Sequence, residues 1–297
     1  MSKRVLGISR SPRFSPNSTQ RDEAIFSGVV TELKKSELAV DRLCEDDFVS
    51  AEGYDIVFSM ARDVRVLNRL KVAEEQGLQV INSAKSLLRD TRVELTASFE
   101  REGIPVPYSP FVITAEGRME GPSVLYGQKE SRKPDWDFPF WLKRSGACAQ
   151  AAGDVCFVEN QEAFDQALER YAARGIDEVL ASEHLTGDLV KFYGVEGTDF
   201  FYYHYPTADN AFSKFGLEKI NGAPSGYPLD VATLKTCADR AAALSGIVVY
   251  GGDCIVDAEG HFRIIDFNDW PSYSRCCDAA ARAIAEKIRQ QLPKEEK

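Results

Sequence analysis

The chain has 297 residues, 44% of them hydrophobic, enough to bury one large core or two to three smaller ones without disulfides or a structural metal. A formal net charge of −10 argues against sequence-independent binding to nucleic acid or an anionic membrane, which draws on clustered Lys and Arg, and leaves a small molecule or a peptide as the expected partner. Seven cysteines without a C-x-x-C pair, a short apolar N-terminus and the lack of any run of about 18 apolar residues place the chain in the cytoplasm, with its oligomeric state unspecified.

Val5 to Ser9 reads as a strand, followed by a Ser/Pro/Arg-rich loop through Thr19 and a helical pattern from Arg21 to about Lys35. A second strand spans Asp55 to Met60. A helix over 64–76 then stops at Gly77, a natural C-terminal cap, and Leu78 to Asn82 forms a third strand. Together they predict a small parallel α/β domain over residues 1–84. Ligands of open α/β sheets lie beyond the carboxyl ends of the strands. Arg10, Arg13 and Arg62, in the loops after the first two strands, are therefore candidates to hold a substrate carboxylate or phosphate, a basic surface loop being the competing reading.

Thr91 and Glu94 have capping-box spacing, so a helix starts there, with Arg92 in its first turn, and runs to Glu102 before Gly103-Ile104-Pro105 breaks it. After a Gly-, Pro- and charge-rich loop from Thr114 to Asp137, the strand Phe138 to Arg144 leads through a small-residue loop (145–153) into the strand Val155 to Val158. Asn160 caps a helix with apolar residues at Phe164, Ala167, Leu168 and Tyr171, ended by Gly175. This second unit, 85–182, is α+β. The third, 183–297, is mostly strands (Val179 to Leu185 at its boundary, Leu189 to Val195, Phe200 to Tyr205, Val248 to Val256, Phe262 to Phe267), with a helix from about Val231 to Leu244 and a final amphipathic one from about Asp278 to Gln291.

Only three scattered histidines exist, so chemistry falls to carboxylates, Lys and Arg. A tight turn at Glu259-Gly260 sets Asp253 opposite Asp266, and Asn268, two residues on, faces the same way. Three oxygen ligands would then converge in a pattern suited to magnesium; a solvated acidic hairpin is the plainer alternative. Lys143 ends an apolar strand just before the loop opening with Ser145 and Gly146, which can offer an ammonium and backbone N–H groups to a polyphosphate. Neither the G-x-x-x-x-G-K-[ST] nor the G-x-G-x-x-G fingerprint is present.

The order and spacing of these segments resemble the ATP-grasp superfamily over roughly residues 80 to 290. Arg92 precedes the turn Gly103-Ile104-Pro105-Val106-Pro107 where the family usually has Lys, and Phe140-Trp141-Leu142-Lys143 is similar to the family strand bearing the second nucleotide lysine. Ser182-Glu183-His184-Leu185 resembles the hinge that meets adenine, with Asp188 near the ribose. Asp253 with Asp266-Phe267-Asn268 resembles the metal hairpin, where E-x-N is the commoner form. The D-x-N variant, with Gly187-Asp188-Leu189-Val190-Lys191-Phe192-Tyr193-Gly194, is similar to the inositol trisphosphate kinase branch.

The resemblance implies an ATP-grasp fold, in which a parallel α/β domain precedes two α+β subdomains that enclose ATP. It implies ATP and Mg2+ as cofactors, with Arg92, Lys143, Ser145, Gly146, Glu183, His184, Leu185, Asp188 and Lys191 around the nucleotide. Asp253, Asp266 and Asn268 would hold the metal, and Arg275, beyond the hairpin, would join Arg92 and Lys143 in catalysis. Three functions stay open: an ADP-forming ligase joining a carboxylate to an amine, placed first; a kinase acting on a hydroxyl; and a nucleotide-binding protein without turnover.

Overall fold

The computed structural model describes residues 2–89, 91–109, 111–114, 119–120, 138–146, 151, 153–206 and 217–293. Strands β1 (Arg4–Ser9), β2 (Ala39–Cys44), β3 (Ile56–Ser59) and β4 (Gln79–Ile81) form a parallel sheet in the order β2-β1-β3-β4. The inner strands β1 and β3 are covered on both faces, which is why they read as unbroken apolar runs. Helix α1 (Thr19–Lys34) packs Ile25, Phe26, Val29 and Leu33 on one face, while α2 (Val64–Glu75) packs Val66, Leu67 and Leu70 on the other. Asp63 caps α2, its carboxylate accepting from the Arg65 N–H at 2.8 Å.

Two features of this domain depart from the sequence expectation. The sheet has a fourth strand, β2, at an edge; its Asp41 and Arg42 are exposed, so it lacks the apolar signature of its neighbours. The final helix, assigned above to the third unit, packs on α1 of the first. A Cβ on Gly28 of α1 would come within 3.0 Å of the Ala281 Cβ, and Arg289 donates to the Glu32 carbonyl and to the Ser36 hydroxyl. Small residues on both helices allow that approach, and Ala281, Ile284 and Ile288 enter the same core as Ile25 and Phe26.

Short helices α3 (Ala84–Arg89) and α4 (Arg92–Arg101) lead out of the first domain, α4 opening on the expected capping box between Thr91 and Glu94. Asn82 ties the domains together. Fully buried, its side-chain amide donates to the Val249 carbonyl at 2.9 Å and accepts from the Val249 N–H at 2.7 Å, extending a strand ladder with a side chain.

The second sheet, in the order β6-β5-β9-β7-β8, comprises β5 (Phe111–Thr114), β6 (Met119–Glu120), β7 (Phe140–Arg144), β8 (Val155–Val158) and β9 (Glu178–Glu183). Helix α5 (Gln161–Ala173) covers one face with Ala167 and Tyr171, against Phe140, Leu142 and Val158. Strand β5 was not anticipated from the sequence. The third sheet is antiparallel in the order β11-β10-β12-β13, from β10 (Asp188–Val195), β11 (Phe201–His204), β12 (Val249–Val256) and β13 (Phe262–Asp269). Helix α6 (Val231–Ser245) and α4 lie beneath it around Phe192, Tyr250 and Phe267, and α7 (Cys277–Gln291) closes the chain. Among the described residues no helix is long and apolar enough to cross a membrane.

Candidate active site

The second and third sheets face each other across a cleft of about 850 Å³. Register builds its floor. On β10 and β12, Lys191 pairs with Asp253 and Leu189 with Ile255, so one rung across the strands is ionic and the next is apolar. Asp266 sits opposite Asp253 on β13, the pairing expected from the sequence, although beside the turn Val256 faces Phe262, one residue off the register read for Glu259-Gly260. One step beyond, the register slips and Cys254 faces Ile264, leaving Ile265 as the extra residue of a bulge that turns its carbonyl toward the Lys143 ammonium, 2.7 Å away. The second sheet supplies Trp141 and Lys143, two residues apart on one face of β7.

Six charged groups meet at the ionic rung. The Lys191 ammonium donates to both Asp253 oxygens at 2.9 and 3.1 Å and lies 3.4 Å from Glu218. Arg92, reaching in from the first turn of α4, donates to Asp266 at 2.9 Å, and Asn268 donates to the other Asp266 oxygen at 2.7 Å. Burial pushes the Lys143 ammonium down to about 8, with Arg92 adding to the fall and Asp266 and Asp253 opposing it. Burial raises the Asp253 carboxyl against the pull of Lys191. It would raise Asp266 as well, but Arg92, Lys143 and Asn268 outweigh it and hold that carboxyl below its usual range. Lys191 titrates above an ordinary lysine because Asp253 and Glu218 exceed the desolvation cost. Arg92, Lys143 and Lys191 thus balance Glu218, Asp253 and Asp266.

Asp253, Asp266 and Asn268 fit a hard divalent cation. The two carboxylates opposed on neighbouring strands and the Asn268 amide are oxygen donors of the kind such a cation takes; in this structure the carboxylate oxygens accept from Lys191, Arg92 and the Asn268 amide nitrogen. Among the described residues no group of three or more His, Cys, Asp or Glu is placed to hold a metal ion.

The structure places the other sequence candidates unevenly. Glu183 and Leu185, at the end of β9, line the cleft, Glu183 held by Arg263 at 2.6 Å and by the Tyr108 N–H at 2.7 Å. His184 accepts from the Trp141 indole at 3.1 Å. Ser145 donates its hydroxyl to Glu178 and offers its carbonyl to the Arg92 N–H, which orients Arg92 rather than lining the cleft. Gly146 follows it, and residues 147–150 and 152 of the expected phosphate loop lie outside the described residues. Asp188 is 2% exposed, and its oxygens accept from the N–H groups of Ser225, Gly226 and Tyr227 at 2.6 to 2.9 Å. It anchors a loop and does not line the cleft, contrary to the expected ribose contact.

Of the three arginines expected on the substrate side, Arg62 alone reaches the neighbourhood, pairing with Asp269 at the end of β13. Arg10 is held by Asp22 at 3.3 Å and by the Met60 carbonyl, and Arg13 by Asp63 and Asp46. Arg275 is exposed on the turn before α7 and lines neither that neighbourhood nor the cleft. Sequence reasoning missed Glu218 and Asn221, which enter the cleft from a single 3-10 turn, Leu217–Asn221, without periodic pattern. Trp141 could have been found, since it shares a strand face with Lys143.

No protein-family model matches the chain, and no curated protein matches it. Solved structures do. An ATP-grasp RimK domain protein from Sphaerobacter thermophilus superposes with a TM-score of 0.64 at 15% identity, over 96% of this chain and 99% of that one. D-alanine–D-alanine ligase from Bacillus anthracis, complexed with ATP, gives 0.59 at 13% identity, over 99% and 100%. The ATP-grasp ligase PsnB, complexed with a precursor peptide and AMPPNP, gives 0.57 at 16% identity, over 97% and 98%. Across almost its whole length, the chain has the ATP-grasp fold.

Proposed function

We propose that the chain is a cytoplasmic, ATP- and Mg2+-dependent ligase that activates a carboxylate as an acyl phosphate and joins it to an amine of an amino acid or peptide, releasing ADP and phosphate. The observation that carries this is Asp253 opposed to Asp266 within a ring of Arg92, Lys143 and Lys191, one rung from an apolar slot between two sheets. The similar structures support it through their names, a D-alanine–D-alanine ligase and an ATP-grasp ligase complexed with a precursor peptide.

Leu189, Ile255 and Leu185 receive the base, and the main chain from Glu183 to Leu185 reads its edge. Arg92 turns from the Asp266 carboxylate, and Lys143 from the Ile265 carbonyl, to phosphate oxygens, so nucleotide binding leaves no buried cation bare. Asp253, Asp266 and Asn268 would hold magnesium, which neutralises charge on the terminal phosphates. A substrate carboxylate oxygen attacks the γ-phosphorus, and the bond to the bridging oxygen breaks with its electron pair leaving on ADP. Lys143 and Arg92 stabilise the charge shared among those oxygens. The amine nitrogen then attacks the acyl carbon, phosphate departs and the nitrogen gives up a proton.

The test is to incubate the protein with ATP, magnesium and pooled amino acids, dipeptides, hydroxy acids and polyols, following ADP, phosphate and product masses. ADP with free phosphate and a condensed product, lost in Asp266→Ala, is expected. An acceptor heavier by one phosphoryl group, without free phosphate, would replace this with the kinase reading that the D-x-N hairpin also fits.

A further inference from the structure

Asp253 has two commitments that conflict. It belongs to the donor set that fits a divalent cation, yet both of its oxygens accept from the Lys191 ammonium, at 3.1 and 2.9 Å. For Asp253 to turn to a cation, it must let go of Lys191. The Lys191 side chain is only 16% exposed, and a buried ammonium left without a counter-charge is strongly unfavourable.

A second acid resolves the conflict. Glu218, buried at the border of the nucleotide cleft, lies 3.4 Å from the same ammonium. Its position is fixed from two directions. The 3-10 turn that carries it, Leu217–Asn221, is tied to the Leu185 carbonyl by the Asn221 amide at 3.4 Å. The chain just beyond is pinned to β10 by Asp188, through the N–H groups of Ser225, Gly226 and Tyr227. Asp188 and Lys191 are three residues apart on β10, so the strand that bears the ammonium also anchors the acid facing it. An acid held there could ligate a metal or serve Lys191. Among the described residues no three of His, Cys, Asp and Glu are placed to hold a metal ion, so Glu218 does not extend the pair Asp253 and Asp266 into a ligand triad.

We propose that Glu218 is the acid to which Lys191 passes when Asp253 turns to magnesium, a positioning residue that acts through Lys191 and does not ligate the metal. The exchange keeps the charges matched. Before it, two carboxylates share one ammonium; after it, Lys191 pairs with Glu218 and Asp253 faces the cation, so no buried charge is bare. The inference rests on the metal reading of Asp253, Asp266 and Asn268, and holds whether the phosphoryl group goes to a carboxylate or to a hydroxyl.

The test is calorimetric titration with AMPPNP in magnesium and again in EDTA, which gives the factor by which magnesium tightens nucleotide binding. Glu218→Gln should shrink that factor about tenfold or more, because Lys191 then holds to Asp253, while affinity in EDTA changes little. Glu218→Asp keeps the charge and should lose less. Adding Lys191→Met to Glu218→Gln removes the ammonium that competes for Asp253 and should restore the factor. Circular dichroism checks that each variant is folded, and the double variant, which deletes both charges together, carries the test if Glu218→Gln alone is not. A Glu218 that merely supported the cleft would weaken binding equally in magnesium and in EDTA, and Lys191→Met would restore nothing. Either of those results, or a parental factor in Glu218→Gln, would overturn the proposal. A parental factor in Asp266→Ala would instead remove the metal reading, and the exchange with it.

Discussion

Asp188→Ala separates two jobs that the sequence alone cannot tell apart, a nucleotide contact and a loop anchor. In the structure its buried carboxylate accepts three backbone N–H groups, from Ser225, Gly226 and Tyr227, at 2.6, 2.8 and 2.9 Å. A hydrogen bond to a charged group contributes about 1.5–3 kcal/mol net. These amides are only partly buried, so water replaces some of the loss, and the expected destabilisation is about 3–5 kcal/mol. That is a large share of the roughly 5–15 kcal/mol that holds a typical domain together. Asp188→Asn keeps an acceptor without the charge and should lose about half as much. Urea denaturation followed by circular dichroism measures both variants, and calorimetric titration with ADP, in conditions where each is folded, measures the site. We expect a lower midpoint with near-parental ADP affinity. An unchanged midpoint with ADP binding lost would return Asp188 to the nucleotide and refute the anchor.

Gly187 has φ of 155°, and a Cβ there would stand 2.2 Å from the Val256 carbonyl oxygen, so Gly187→Ala should destabilise by about 2–4 kcal/mol in the same denaturation experiment. Asn82→Leu strips both the donor and the acceptor from Val249 at the junction of two domains, for an expected loss of about 2–4 kcal/mol, read from the urea midpoint. Gly28→Leu should force α1 and α7 apart and lower the melting temperature, with a cost of about 1–3 kcal/mol from overpacking against Ala281. Replacing Arg10 with Ala, because its guanidinium serves Asp22 and Met60, should lower the melting temperature and leave the acceptor KM unchanged in the ligation assay.

The parts of the site legible in the sequence are those set by local rules. The pairing of Asp253 with Asp266 agrees with a turn at Glu259-Gly260 only because a bulge intervenes: beside the turn Val256 faces Phe262 and Cys254 faces Ile264, one residue off that register, and nothing in Cys254-Ile255 or Ile264-Ile265 marks the extra residue that restores it. The capping box at Thr91 placed Arg92 in the first turn of α4, and only tertiary packing shows that this turn abuts Asp266. Asp188 was expected at the nucleotide only through the family resemblance, while its partners lie 37 to 39 residues further on in a loop with no pattern. Glu218 was invisible for the same reason. Edge strand β2 escaped because burial on one side leaves Asp41 and Arg42 in solvent, and the packing of α7 on α1 could not be read because an amphipathic helix says that it packs but not on what.

The central claim is that nucleotide binds between the second and third sheets at the ionic rung. Calorimetric titration with AMPPNP and magnesium, on the parent chain and on Lys143→Ala, Asp253→Asn and Arg275→Ala, tests it directly. Lys143→Ala and Asp253→Asn should weaken binding by about tenfold to a hundredfold, and Arg275→Ala should leave it unchanged. Parental affinity in both Lys143→Ala and Asp253→Asn would place the nucleotide elsewhere and contradict the account.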